Sequence, residues 1–383
     1  MASALASPKP GSRFIPANWV LVGLIAGALM ECVGGYWDVW WHVHSVRETF
    51  WTPPHTVLYS GAVTLGVFAG IGGVKALQAL RADIKALGRK FSPLMAFAVP
   101  ISYMVIIAGI SIQIASAPFD DAWHVLLAAE GKADVFYTPP HLMATLGAVI
   151  AFAGVLVEAV RCQRLALGAG YASGAFRDPN KMNFYDVAIF VGIGALWMGL
   201  TFVFTPIDFP RGWVTLRGIA VQGAMMGVAG VLALRLLRFP GAFLLAGAPF
   251  LIIHCVFRDG ALFIPAFLAG IAAFDLLAYQ LEVKKYVSPV LLASLPAGLV
   301  LGTMLFLIPL PLGPDVAWPE MATTAGLPLV DMFMLERQGL GQIAAAIGAC
   351  TVATFGGAVI GDIAARRAVN GVAKASVPTS TKA

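Results

Sequence analysis

Residues 139–160 of this 383-residue chain read PPHLMATLGAVIAFAGVLVEAV. No charged residue lies between His141 and Glu158, and the run is long enough to cross a bilayer core of about 30 Å as a helix. Proline fits the first turn of a helix, because its missing N–H would be unpaired there in any case. The stretch therefore predicts a transmembrane helix that begins at Pro139, with His141 in its first turn.

Comparable apolar runs recur along the whole chain, which is 59% hydrophobic and only 12% charged. Soluble domains carry about 25% charged residues. Helices satisfy their own backbone hydrogen bonds, as lipid requires. The sequence thus predicts an all-α fold, a polytopic membrane helical bundle of about ten transmembrane helices in contact with membrane lipid. The predicted spans are 17–42, 54–80, 93–116, 139–160, 184–204, 214–234, 240–256, 259–281, 288–310 and 339–365.

Loop charges predict the orientation of these spans. With the N-terminus in the cytoplasm, 19 of the 25 Lys and Arg residues fall on the cytoplasmic side, as the positive-inside rule expects. We therefore expect a multi-pass protein of the cytoplasmic (inner) membrane with both termini cytoplasmic. The net charge of +5 is spread over loops, so it does not indicate a nucleic-acid partner.

The first 165 residues or so contain an internal repeat, which predicts a duplicated helical hairpin. Matched positions lie 82 residues apart before the connecting loop and 86 apart after it: Glu31, Asp38, His42 and His55 correspond to Gln113, Asp120, His124 and His141. The sequence predicts three parts: residues 1–168 with the two hairpins, residues 182–368 with six further helices of unassigned role, and a disordered tail at 369–383.

Each copy of the repeat carries one Asp and two His residues that can converge. Asp38 and His42 are four residues apart and share a helix face, and His55 opens the next, antiparallel helix. The second copy supplies Asp120, His124 and His141 in the same arrangement. Two imidazoles and a carboxylate with open positions are typical of redox-metal sites, and zinc also accepts such ligands. The alternative is that Asp and His merely pair within each hairpin.

Other polar and aromatic residues near the triads have two interpretations each. Glu31 and Gln113 are either partners of a ligand histidine or an interhelical hydrogen bond. The tryptophans around the triads either form an interfacial belt or wall a pocket. His254 lies four residues before Arg258, a spacing that favours an ion pair near the outer face.

The segment that carries the first triad resembles a copper-binding membrane component of the copper membrane monooxygenases, the family of particulate methane and ammonia monooxygenases. The shared pattern is Asp-x3-His-x12-His, with Trp41 before the first His, the run Arg47-Glu48-Thr49 in the loop, and Thr-Pro-x-His at its end. The resemblance covers about residues 20–165. It implies that Asp38, His42 and His55 bind copper.

The family also has a second copper site that contains Asn-x3-His and a later His. Asp120, His124 and His141 are similar to it, although Asp stands in place of Asn and the spacing to the last His is longer. The resemblance implies other monooxygenase-type subunits as partners.

These observations predict a copper-dependent membrane oxidoreductase that hydroxylates a small apolar substrate with O2, with Asp38, His42 and His55 as its catalytic residues. Iron and zinc remain open as the metal. The alternatives are a non-catalytic membrane metal-binding or metal-transfer protein, and an ion-coupled transporter that uses the His and Asp residues. The substrate, the reductant and the oligomeric state do not follow from the sequence.

Overall fold

The structure is a computed structural model that describes residues 14–44, 51–88, 90, 92, 99–127, 139–168, 176–204, 216–256, 263–286, 288–307 and 340–376. Side chains at several helix ends, including those of His42 and His124, fall outside the described part. The predictions that concern Arg47, Arg258 and the start of the third span at residue 93 also fall outside it.

The described residues form ten α-helices, and the prediction of an all-α polytopic bundle is confirmed. Eight helices are long and apolar enough to cross a membrane, while α7 and α9 are shorter apolar helices. The bounds are α1 Asn18–His44, α2 Pro53–Ala86, α3 Ile101–Leu127, α4 Pro139–Leu167, α5 Phe184–Phe204, α6 Leu216–Leu236, α7 Ala242–Val256, α8 Ile264–Val283, α9 Pro289–Leu307 and α10 Leu340–Ser376.

The start of α2 follows the predicted capping pattern. Thr52 is the N-cap, and its Oγ1 accepts a hydrogen bond from the backbone N–H of His55 at 3.4 Å. Helix α4 begins at Pro139, as the sequence predicts. At the other end of the chain, α10 runs to Ser376, into the segment predicted as a disordered tail. Several of its last residues are alanines, which favour helix, so that prediction was wrong up to Ser376.

Ion pairs and hydrogen bonds at the helix ends establish an up-and-down topology. Arg161, near the end of α4, donates to the backbone oxygen of Phe14, just before α1, at 2.6 Å. Arg238, which follows α6, pairs with Glu282 near the end of α8 at 3.3 Å. The starts of odd-numbered helices and the ends of even-numbered helices therefore share one face. The two His-bearing hairpin loops lie at the opposite face.

The two hairpins cross in the same way, which gives the sequence repeat a structural counterpart. A Cβ atom placed on Gly27 would lie 3.0 Å from the carbonyl oxygen of Gly61, and one placed on Gly109 would lie 2.5 Å from that of Gly147. These glycines occupy matched repeat positions. In each hairpin they allow the two helix backbones to approach more closely than any side chain would permit.

Replacing Gly109 with Ala is expected to destabilise the protein by about 1–3 kcal/mol, because the new methyl group meets backbone atoms that cannot move independently. Gly70→Ala is the matched control, since no heavy atom lies within 4 Å of a Cβ there. Thermal unfolding in detergent measures both. Equal melting temperatures for the two variants would contradict the close crossing.

The second half of the chain packs around aromatic rings and a few buried ion pairs. Trp197 of α5 stacks on Phe250 of α7 with ring centroids 4.5 Å apart. Asp362 of α10, which is largely buried, accepts from Arg235 of α6 at 3.0 Å. These contacts hold α5, α7, α6 and α10 beside the hairpin pair.

Candidate metal centre

The first candidate site has a buried carboxylate beside an imidazole. Asp38 lies near the end of α1 and His55 in the first turn of α2, and each residue is 5% exposed. Asp38 Oδ1 lies 3.1 Å from His55 Nε2. The Thr52 cap fixes the start of α2, so the loop chemistry itself positions His55 against α1.

The second candidate site repeats this geometry with the equivalent atoms. Asp120 of α3 is 5% exposed, and its Oδ1 lies 3.3 Å from Nε2 of His141 in the first turn of α4. The same ring nitrogen faces the same carboxylate oxygen in both copies. The repeat therefore extends from sequence to the orientation of these side chains.

Both separations fit two ligands of one metal ion. Ligand atoms that each lie about 2.0–2.1 Å from a tetrahedral metal are about 3.3 Å apart, and somewhat closer in octahedral sites. A direct N–H···O hydrogen bond usually spans about 2.7–3.2 Å, which the pair in the first copy also satisfies. The donor set of carboxylate and imidazole suits copper, iron or zinc.

The third member of each triad is placed only by its backbone. His42 lies one helical turn after Asp38 in α1, and His124 lies one turn after Asp120 in α3. Their side chains are outside the described part, so the predicted convergence of all three residues stays a prediction. Among the described side chains, no group of three or more His, Cys, Asp and Glu residues forms a metal cluster.

A cavity of about 100 Å³ lies among the first five helices and touches both candidate sites. Asp38 of the first site and His141 of the second both line it. Its other lining residues are mostly apolar or small: Cys32, Gly35, Leu58, Leu142, Ala144, Thr145, Ala148, Phe152, Met198, Gly199 and Phe202, together with Glu31 and Gln113. The two copies of the repeat thus open onto one shared space.

Glu31 and Gln113 meet at the wall of this cavity, as their matched positions suggest. They are 4% and 3% exposed, respectively. The amide of Gln113 interacts with the Glu31 carboxyl, but not in the geometry of a normal hydrogen bond. Of the two interpretations left open by the sequence, an interaction between helices fits them better than contact with a ligand histidine.

His254 has a different environment from the one predicted. It is 2% exposed, and its Nδ1 lies 2.7 Å from the carbonyl oxygen of Phe250 in the preceding turn. Its ring packs against Tyr36 of α1 with centroids 4.8 Å apart. Arg258 lies outside the described residues. The aromatic positions four residues before His254 in α7 and two before Asp38 in α1 were the available sequence signal.

The tryptophans of the first hairpin differ in exposure. Trp51, in the loop before α2, is 77% exposed, whereas Trp37 and Trp41 are partly buried. None of these three lines the cavity. An interfacial position therefore suits them better than a pocket wall.

Comparison with protein-family models, curated proteins and solved structures finds no match to this chain.

Proposed function

We propose that this protein is a metal-dependent, copper-using membrane oxidoreductase that hydroxylates a small apolar substrate with O2. The observation that supports it best is the matched pair of buried Asp–His contacts, with Oδ1–Nε2 separations of 3.1 and 3.3 Å. Ionisable residues at membrane depth are costly to bury and mark functional sites by default. Two equivalent pairs, each one turn from a further histidine, are hard to explain as structural pairing alone.

The chain's own residues would hold and shield the metal. Asp38 and His55, with His42, would bind the first ion, and Asp120 and His141, with His124, the second. Bound copper would supply the activation of O2. The apolar cavity walls, including Phe152 and Met198, would admit a small lipid-soluble substrate and exclude bulk water.

Metal analysis of the full-length protein, purified in lipid nanodiscs, tests this function. We expect copper at about two ions per chain, together with O2 uptake that requires a reductant such as a quinol and depends on a small alkane or similar apolar substrate. Copper binding without substrate-dependent O2 uptake would instead favour metal storage or transfer. Absence of any tightly bound transition metal would contradict the proposal.

The orientation and the membrane belong to the same proposal. Most Lys and Arg residues lie on the face shared by the start of α1 and the ends of α2, α4, α6, α8 and α10, which supports a cytoplasmic position for that face. The two Pro-Pro-His hairpin loops would then face the outside of the cytoplasmic membrane. Partner subunits of the monooxygenase type would supply the reductant.

Cysteine accessibility distinguishes the two orientations. A cysteine at position 132, in the loop between α3 and α4, is expected to react with an impermeant maleimide on intact cells. A cysteine at position 285, just after α8, should react only after lysis. The opposite labelling pattern would contradict the orientation.

A transporter is the second candidate, because polar groups extend inward from the triads. Glu31 and Gln113 lie about two helical turns inside Asp38 and Asp120. Further inward, the buried face of α3 is apolar at Ile110 and Ile106. In the described part of the chain, the polar path thus ends within the bundle, which favours a closed pocket over a route across it.

A further inference from the structure

Glu31 is a buried carboxyl group in the wall of the cavity that lacks a hydrogen bond in the described part of the chain. It is 4% exposed, and neither Oε1 nor Oε2 has a hydrogen-bond partner there. A polar group that is buried without such a partner costs roughly 1–3 kcal/mol. A ligand that donates a hydrogen bond in the cavity would recover this cost.

The charges around the cavity also favour a donor. Glu31 and Asp38 both line it, and no Lys or Arg is among its lining residues in the described part of the chain. The other polar lining groups are Gln113, Thr145 and His141. The potential in the cavity is therefore negative, which attracts an ammonium group or the positive end of a hydroxyl dipole.

The remaining walls limit the ligand to a short apolar chain. A dry cavity of about 150 Å³ holds a molecule the size of benzene, so a cavity of about 100 Å³ holds roughly four non-hydrogen atoms. Leu142 lines the cavity and is also 37% exposed on the surface of α4. Within the described residues, the first turn of α4 therefore offers a way in from the surface.

We infer that this cavity binds a small molecule that has one hydrogen-bond-donating head, a hydroxyl or a primary ammonium group, on an apolar chain of about three carbons. The head donates to Glu31, and the chain packs against Leu58, Phe152 and Phe202. As a substrate or product site the inference rests on the proposed function, since both candidate metal sites border the cavity. Binding itself requires no metal.

Infrared difference spectroscopy of the full-length protein in nanodiscs tests this inference through the carboxyl C=O band. Addition of 1-propanol or n-propylammonium to the wild type is expected to shift a carboxyl band at saturation. In Glu31→Gln that shift should disappear. Glu282→Gln is the matched control because Glu282 lies far from the cavity, paired with Arg238, and it should keep the shift.

A second pair of variants tests the location without changing any carboxyl. Ala144→Leu fills the cavity and should weaken apparent binding by about tenfold or more. Ala153→Leu, on the same helix but away from the lining, should leave binding unchanged. A response to only one of the two probes identifies the head group as hydroxyl or ammonium. No response to either probe, or a shift that persists in Glu31→Gln, would overturn the inference and leave water as the occupant.

Repeating the measurement after chelation separates this inference from the proposed function. Probe binding without any metal-dependent oxidation would retain the ligand site and reject the oxidoreductase. Copper binding and O2 uptake without a Glu31-dependent response would retain the oxidoreductase and reject this ligand site.

Discussion

Replacing Asp38 with Ala is expected to remove one metal ion from each chain and to abolish oxidation. Asp38 Oδ1 lies 3.1 Å from His55 Nε2, and both residues are buried, so bulk water does not readily take the place of the lost carboxylate. Loss of a partner one shell further out already weakens metal binding by about 10–100-fold, and loss of a ligand should exceed that. Metal content per chain and O2 uptake measure the effect.

The variant Asp38→Asn separates a metal ligand from a structural hydrogen bond. Asparagine retains an acceptor for His55 but loses the negative charge. A metal site should then lose affinity, whereas simple pairing between Asp38 and His55 should survive with little change in stability. Asp121→Ala is the control, because Asp121 is an exposed neighbour of the second site. Unchanged metal content in Asp38→Ala would contradict the first site.

The sequence was sufficient for the features that depend on local physics. Each predicted span overlaps an observed helix, because apolar length alone defines a membrane helix. The Thr52 cap and the start of α4 at Pro139 followed from the chemistry of the first helical turn. The repeat placed Asp38 near His55 and Asp120 near His141, since each pair needs only one tight connection between antiparallel helices.

The shared cavity could not be predicted in the same way. Its walls include Met198, Gly199 and Phe202 of α5, and no local pattern indicates that these residues face the two hairpins. The partners of buried ions at the opposite face, such as Arg235 with Asp362, are also distant in sequence. Periodicity indicates which face of a helix is apolar, but the identity of the neighbouring helix depends on packing of the whole bundle.

The two copies are equivalent at the ligands and different in what supports them. Tyr36 of α1, two residues before Asp38, packs against Phe202 and His254 with ring centroids 4.3 and 4.8 Å away. The matched position in α3 is Pro118, which lies inside the helix. Proline removes one helical hydrogen bond and bends the helix there. The first site is therefore braced by α5 and α7, whereas α3 reaches Asp120 through a weaker turn.

Replacing His124 or His141 with Ala is expected to remove the second metal ion and leave the first in place, so that the content falls from about two ions per chain to one. The reason is that the Asp120–His141 pair, at 3.3 Å, is separate from the Asp38–His55 pair, although both border one cavity. If both sites act on a substrate in that cavity, each of these variants also loses oxidation. His44→Ala should lose neither metal nor activity, because His44 is out of phase with His42 and has no counterpart in the second copy. One metal per chain in the wild type, lost in His42→Ala and kept in His124→Ala, would show that the second copy is structural and that Asp120 and His141 only pair with each other.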